Sequence, residues 1–374
     1  MARPVITPYQ FNEYTSQIVD IYVALEDELF LQVAKRLKAP KEAGKDYVLQ
    51  WQVDKMQQLR MLNRETISEL SKATGIAAKE IEKMVSDVGF NSIKSIDEEL
   101  KGAYRTLPPP SQIDETLQGF VNQTFREMDN YVNQTLITTT FGRGTVADTY
   151  RKIVEESTAQ VLASNKTINQ AVADTVIKWA DKGLATGFVD KGGRTWSLES
   201  YSRTLIRNTV NNTYNDLRMS RMQEYDVGLV VMSSHAAARP ACAPIQGKVL
   251  DITEDRRNPD YLNIYDYGYG EPSGTRGINC NHRYFPYIEG VNTNNQPQVD
   301  EEEASKRYDL TQKQRYYERQ IRKAKRSLNL AKELGDVDTI SKYGKLVRNR
   351  QAKVREFIKE HKLPRRYENE QIYS

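Results

Sequence analysis

The sequence predicts a mostly α protein with long N-terminal helices, a small irregular α+β module holding Cys and His, and a C-terminal antiparallel helical hairpin. Three observations carry that prediction. Apolar residues recur at helical spacing up to about residue 225. From Gly228 to Gly290 that period stops and Pro, Gly, Asn, Asp and Tyr take over, with only short apolar runs. From Leu310 onward a heptad-like pattern begins.

The first helix is expected from about Phe11 to Leu37, where Tyr14, Ile18, Ile21, Leu25, Leu29 and Leu37 fall at spacings of three, four or eight. After the "APKEAG" turn a second helix starts near Tyr47 and ends around Ala73. A third covers 77–100 and breaks near Gly89. "LPPP" at 107–110 cannot sit inside a helix and marks a boundary. Ser111 then caps a long helix whose inward stripe is Ile113, Leu117, Phe120, Thr124, Met128, Tyr131 and Leu136. "FGRGT" at 141–145 interrupts it, and one further helical span, carrying Val146, Tyr150, Ile153, Ile168, Val172 and Val176, reaches Ala180. "DKGGRTWSLESY" at 190–201 joins a glycine turn to a helix capped by Ser197 and ending near Tyr225. It lacks the spacing of either common phosphate-binding glycine loop, so it reads as a structural turn anchored by Trp196.

Beyond Gly228, "LVVM", "GKVLDI" and "YFPYI" read as strands of a small sheet. "NTNNQPQVDEEE" is a polar linker. In the hairpin, Leu310, Tyr317, Ile321, Ala324, Leu328 and Ala331 make one seam, and Ile340, Tyr343, Val347, Val354 and Phe357 make the other, across the "LGDVD" turn. The expected organisation is therefore 1–107, 108–227, 228–291, a linker at 292–305, and 306–374.

Composition narrows the function classes. Of 374 residues 39% are apolar and 28% charged, which suits long, partly exposed helices better than one large core. The first residues carry no apolar signal segment, and no apolar run approaches the roughly 20 residues of a membrane span. A soluble protein made in a reducing cytosol is expected, where two cysteines are free or metal-bound rather than a structural disulfide. The net charge of +4 hides an asymmetry, because residues 306–366 hold 20 Lys/Arg against 7 Asp/Glu. A basic hairpin on an acidic body points to an anionic partner, nucleic acid first, through Arg315, Arg319, Arg322, Lys323, Lys325, Arg326, Arg348 and Arg350. A solvated hairpin whose charges only confer solubility is the alternative.

The chain has three His and two Cys, and four of these five lie in "SSHAAARPACAPIQGKVL" and "GINCNHRYFPYIEG". His235, Cys242, Cys280 and His282 suit one structural zinc, although their spacing is not that of a common zinc finger. Buried apolar cysteines with hydrogen-bonded histidines are the competing reading. A Cys nucleophile activated by His is the third, and no further member of such a set is evident. Residues 66–84, "TISELSKATGIAAKEIEKM", match the spacing of a helix-turn-helix. The helix in the recognition position offers Ala77, Ala78, Lys79, Glu80, Glu82 and Lys83, whose acids would repel phosphates, which favours an ordinary helical corner over DNA reading.

The paired segments at 233–250 and 277–290, with "GYG" between them, resemble the signature of the phage minor capsid protein 2 family, a relative of the Mu F-like head morphogenesis proteins. "DKGGRTWSLESY" upstream and "YDLTQKQRYYERQIRKAKR" downstream are similar to flanking parts of the same proteins, so the likeness spans about residues 188–326. Ile245 stands where an aromatic residue is expected before "QGK". The resemblance implies a non-enzymatic structural protein of a tailed-phage virion, assembled in the host cytoplasm and held in few copies inside the head near the portal vertex. Implied partners are the portal protein, other copies of the chain, major capsid or scaffolding protein, and packaged double-stranded DNA, with no membrane. The roles that follow are head assembly and DNA packaging or ejection. The rival classes are a Cys/His hydrolase acting during entry and a helix-turn-helix regulator.

Overall fold

The computed structural model describes residues 8–40, 44–101, 113–133, 136, 145–164 and 166–372. The "LPPP" boundary, the Ser111 cap and all of "FGRGT" except Thr145 lie outside the described residues, as does part of the "APKEAG" turn. The fold is mostly α. In order come α1 (Pro8–Leu37), α2 (Val48–Gln57), α3 (Leu59–Leu100), α4 (Ile113–Met128, followed by one π turn at Asp129–Asn133), α5 (Thr145–Ala163) and α6 (Ile168–Lys182). A β1–β2 hairpin (Ala185–Val189, Thr195–Ser197) leads into α7 (Leu198–Glu224). Strands β3 (Leu229–Met232), β4 (Val249–Asp251), β5 (Leu262–Asn263) and β6 (Tyr284–Tyr287) precede α8 (Glu301–Leu334) and α9 (Val337–His361).

The chain divides into two compact units. The first contains 1–18, 79–125 and 203–313, and the second contains 19–78, 126–202 and 314–374. Both are assembled from stretches far apart in sequence.

In the first unit the small sheet has strand order β5-β4-β3-β6, with β3 antiparallel to both neighbours and β4 parallel to β5. The three expected strands are present. Their module has no core of its own: Val230, Met232, Leu250, Ile252 and Tyr284 share one buried cluster with Ile96 and Leu100 of α3 and Met219 and Met222 of α7. Ile245, in place of the expected aromatic, is fully buried in the same cluster. Gly89 lets the helices of this unit approach closely. A Cβ there would stand 2.2 Å from Leu117 Cδ2 and 3.1 Å from Leu217 Cδ1.

The second unit joins α5 to α6 and α2 to α5. Trp51 donates its indole N–H to Leu37 O at 3.2 Å, and Tyr150 Oη donates to Lys55 O at 2.9 Å. Phe188 meets Tyr131, Trp196 and Tyr201 with ring centroids 5.2 to 5.6 Å apart. In the glycine turn, Asp190 Oδ1 accepts from Gly192 N and Arg194 N, and Trp196 Nε1 donates to Asp190 Oδ2. The hairpin of α8 and α9 is antiparallel: Tyr317 meets Phe357 edge to face, Arg350 donates to Gln320 O, and Gln314 donates to Pro364 O. Asp336 caps α9 by accepting from Thr339 N.

Two expectations are corrected. α3 is one helix of 42 residues, continuous through Gly75 and Gly89, so the helix-turn-helix corner at 66–84 does not exist. Ala73, Ala77, Ile81, Met84, Val85 and Val88 form an unbroken buried stripe, and that burial outweighs the roughly 1 kcal/mol that a helical glycine costs. The single span expected up to Ala180 is two helices, α5 and α6. They separate at 164–167, where Thr167 and Gln170 form a reciprocal capping box.

Candidate functional site

The site forms where the loop after β3 meets the chain entering β6. Backbone pairing of β3 with β6, Met232 opposite Tyr284, brings residues 233–235 alongside 281–283, and Ser233 N donates to Arg283 O at 2.8 Å. The loop then turns back into β4 at Gly247, whose φ of +74° and close neighbours, Ser234 Oγ and Pro297 O, leave no room for a side chain. Arg239 braces the loop by donating to Gly274 O at 2.6 Å and to Ile278 O.

A row of polar side chains on α7 fixes the other half. Asn208 Oδ1 accepts from Asn279 N at 3.1 Å, and Asn211 Nδ2 donates to Cys280 O at 2.7 Å. Asn215 Nδ2 donates to His282 O at 3.2 Å, and Arg218 Nε donates to Tyr284 O at 3.2 Å. The donors repeat every three or four residues on one helix face, and the carbonyls repeat every second residue of an extended chain. Fully buried Arg218 also reaches Ser95 Oγ at 3.1 Å and Glu99 Oε2 at 2.7 Å, which balances its charge. None of these four residues was singled out from sequence. The 3-4-3 spacing of Asn208, Asn211, Asn215 and Arg218 was the signal available.

Cys242 and Cys280 are buried and free, with Sγ atoms 3.8 Å apart. His282, 3% exposed, places Nδ1 3.5 Å from Cys280 Sγ. The ligand atoms of these three residues lie within 4.8 Å of one another. Gln246 Oε1 accepts from His235 N at 2.8 Å and lies 3.4 Å from His282 Nε2. That acceptor places the ring proton on Nε2 and turns the Nδ1 lone pair to the sulfurs. A guanidinium nitrogen of Arg239 lies 3.8 Å from Cys242 Sγ. The Cys242 thiol donating to Cys280 holds Cys280 well below the usual thiol range despite its burial.

Three of the four expected ligands are thus brought together, and His235 is not among them. Its Nε2 faces Asn281 O at 3.2 Å and Ser233 Oγ at 3.4 Å, and its ring lies 4.5 Å from that of His282. Burial, then the neighbouring His282, lowers the His235 pKa to about 4.

The basic hairpin divides into inward and outward cations. Arg322 and Arg326 are each 8% exposed and converge on Glu199 at 2.6 and 3.0 Å, and Arg326 also pairs with Asp27 at 2.9 Å. These two hold the second unit together and do not face an external phosphate. Lys323 donates to Asp181 O, Lys325 to Gln371 and Arg350 to Gln320 O, and Arg315 is half-buried. Arg319 and Arg348 are exposed. They are joined by cations the sequence reading did not single out, Lys342, Lys345, Arg355 and Lys359, which with Arg348 share one exposed face of α9. Among the described residues no helix is long and apolar enough to cross a membrane.

Comparison with known proteins places these features. The sequence model described as phage minor capsid protein 2 matches residues 6–359. A protein named "Structural protein" of Lactococcus phage LL-H is 37% identical over 364 residues, covering 95% of this chain and 98% of that protein. A second "Structural protein", of Lactococcus phage mv4, is 45% identical over 120 residues, covering 32% of this chain and 98% of its own length. No solved structure matches the chain.

Proposed function

The chain belongs to the phage minor capsid protein 2 family, and on that premise we propose that it sits inside a tailed-phage head at the portal vertex, aiding head assembly and DNA packaging or ejection. A phage structural protein is a virion component, and the match across nearly the whole chain to a protein bearing that name carries this reading. Long helices offer extended faces for a portal protein, a second copy, and the major capsid or scaffolding protein. The exposed face of α9 supports a second contact, with packaged double-stranded DNA. Lys342, Lys345, Arg348, Arg355 and Lys359 would neutralise phosphates there without reading bases.

A structural role also suits the Cys/His group better than hydrolysis does. A nucleophilic cysteine needs access to substrate, whereas Cys242 is 0% and Cys280 5% exposed. Co-expression with the portal protein of the same phage, followed by affinity capture and imaging of the complex, tests the location. Density for this chain on the portal's inner face is expected, and absence of any complex would overturn it. For DNA, Lys345→Glu with Arg348→Glu should flatten the salt dependence of binding, removing about two units from the log–log slope. An unchanged slope would remove α9 from the interface.

A further inference from the structure

We propose that Cys242, Cys280 and His282 bind one zinc ion, with His235 outside the ligand set. The inference rests on the module's own geometry and is independent of where the protein sits in the virion. In a tetrahedral site with Zn–S near 2.3 Å and Zn–N near 2.05 Å, two sulfurs stand about 3.8 Å apart and a sulfur and a nitrogen about 3.6 Å apart. The chain holds Cys242 and Cys280 Sγ at 3.8 Å, and Cys280 Sγ and His282 Nδ1 at 3.5 Å. Two edges of a zinc tetrahedron are therefore already built.

The surroundings are those of a ligand set rather than of two buried thiols and a spare imidazole. Gln246 Oε1 accepts a hydrogen bond from His282 Nε2–H, which leaves the Nδ1 lone pair free to bind metal, the usual outer support of a metal-bound histidine. A guanidinium nitrogen of Arg239 stands against Cys242 Sγ, where it stabilises a thiolate. Asn211 and Asn215 hold the Cys280 and His282 carbonyls, so the two ligands on this side are set by the backbone before any ion arrives. His235, with its Nε2 committed to Asn281 O and Ser233, packs against the histidine ligand and shields it. Among the described residues no fourth His, Cys, Asp or Glu ligand atom joins the group, which would leave the fourth coordination position to a non-protein ligand. The ion would tie the loop at 236–247 to the chain entering β6, two segments that Arg239 and the β3–β6 pairing already bring together.

The experiment uses the full chain, expressed with zinc in the medium and without a metal-binding tag. Elemental analysis after gel filtration should give about one zinc per chain, the stoichiometry of a single tetrahedral site. Cys280→Ser and His282→Ala should each reduce that to a small fraction, and His235→Ala should keep it. Should those variants fail to fold, wild-type protein stripped by a chelator and reloaded with cobalt answers the same question. Thiolate-to-cobalt charge transfer with the visible bands of a tetrahedral ion is expected. A chain that takes up neither metal, thiols that react equally fast with and without chelator, or a Cys242–Cys280 disulfide in the purified protein would each overturn the site. Loss of zinc in His235→Ala would overturn the three-residue assignment.

Discussion

Glu26→Gln isolates the electrostatics of the second unit. Glu26 is 2% exposed, its Oε1 accepts from Leu184 N at 2.6 Å, and Arg326 lies 3.8 Å from its other oxygen. Burial outweighs these favourable contacts and raises its pKa from 4.5 to about 7. Between those values the folded chain keeps a proton that the unfolded chain has released. Glu26 therefore contributes stability that is complete below about pH 4.5 and is lost as pH rises through about 7. At about 1.4 kcal/mol per pH unit, the interval from 4.5 to about 7 makes that contribution about 3 kcal/mol. Glutamine keeps the acceptor for Leu184 and has no proton to lose. The difference in unfolding free energy, variant minus wild type, should rise by about 3 kcal/mol in the variant's favour across that interval. Urea denaturation at a series of pH values measures it. All three tryptophans, Trp51, Trp179 and Trp196, belong to the second unit, so their fluorescence follows this unit. A difference that changes by less than about 1 kcal/mol, or falls with pH, would refute the reasoning.

The remaining predictions concern the first unit. Arg218→Met leaves Glu99 without its charged partner and Tyr284 O without its donor, and should cost about 3–5 kcal/mol. The check is a denaturant midpoint that falls at unchanged m-value. Gly89→Ala meets only the movable ends of Leu117 and Leu217, and the gain in helix propensity offsets much of the clash. Gly89→Leu has no such outlet and should cost about 1–3 kcal/mol beyond the alanine variant, read from the two melting temperatures.

Periodicity located most helices and three of the strands, because burial on one face leaves a pattern within a single segment. It misplaced helix ends where one local rule met a stronger distant one. Gly75 and Gly89 look like breaks, yet the buried stripe of α3 runs past both. The break at 164–167 was legible in Thr167 and Gln170, a capping pair that the apolar count alone passes over. Scarcity of Cys and His located the candidate metal group. The exclusion of His235 depends on which way its ring turns, a property set by Asn281 and Ser233. The hairpin's cations look alike in sequence. Arg322 and Arg326 are inward only because Glu199, more than 120 positions earlier, packs beside them.

The polar row on α7 constrains how this chain can vary in length. One residue inserted between Asn208 and Arg218 rotates everything beyond it by about 100° and swings the later donors off the carbonyls together. One residue inserted between 279 and 284 turns those carbonyls to the opposite side. Substitutions at single rungs can be absorbed one at a time, whereas insertions and deletions in either segment cannot. Descendants of this chain should thus carry the two segments at fixed length and confine length changes to exposed loops such as 254–260.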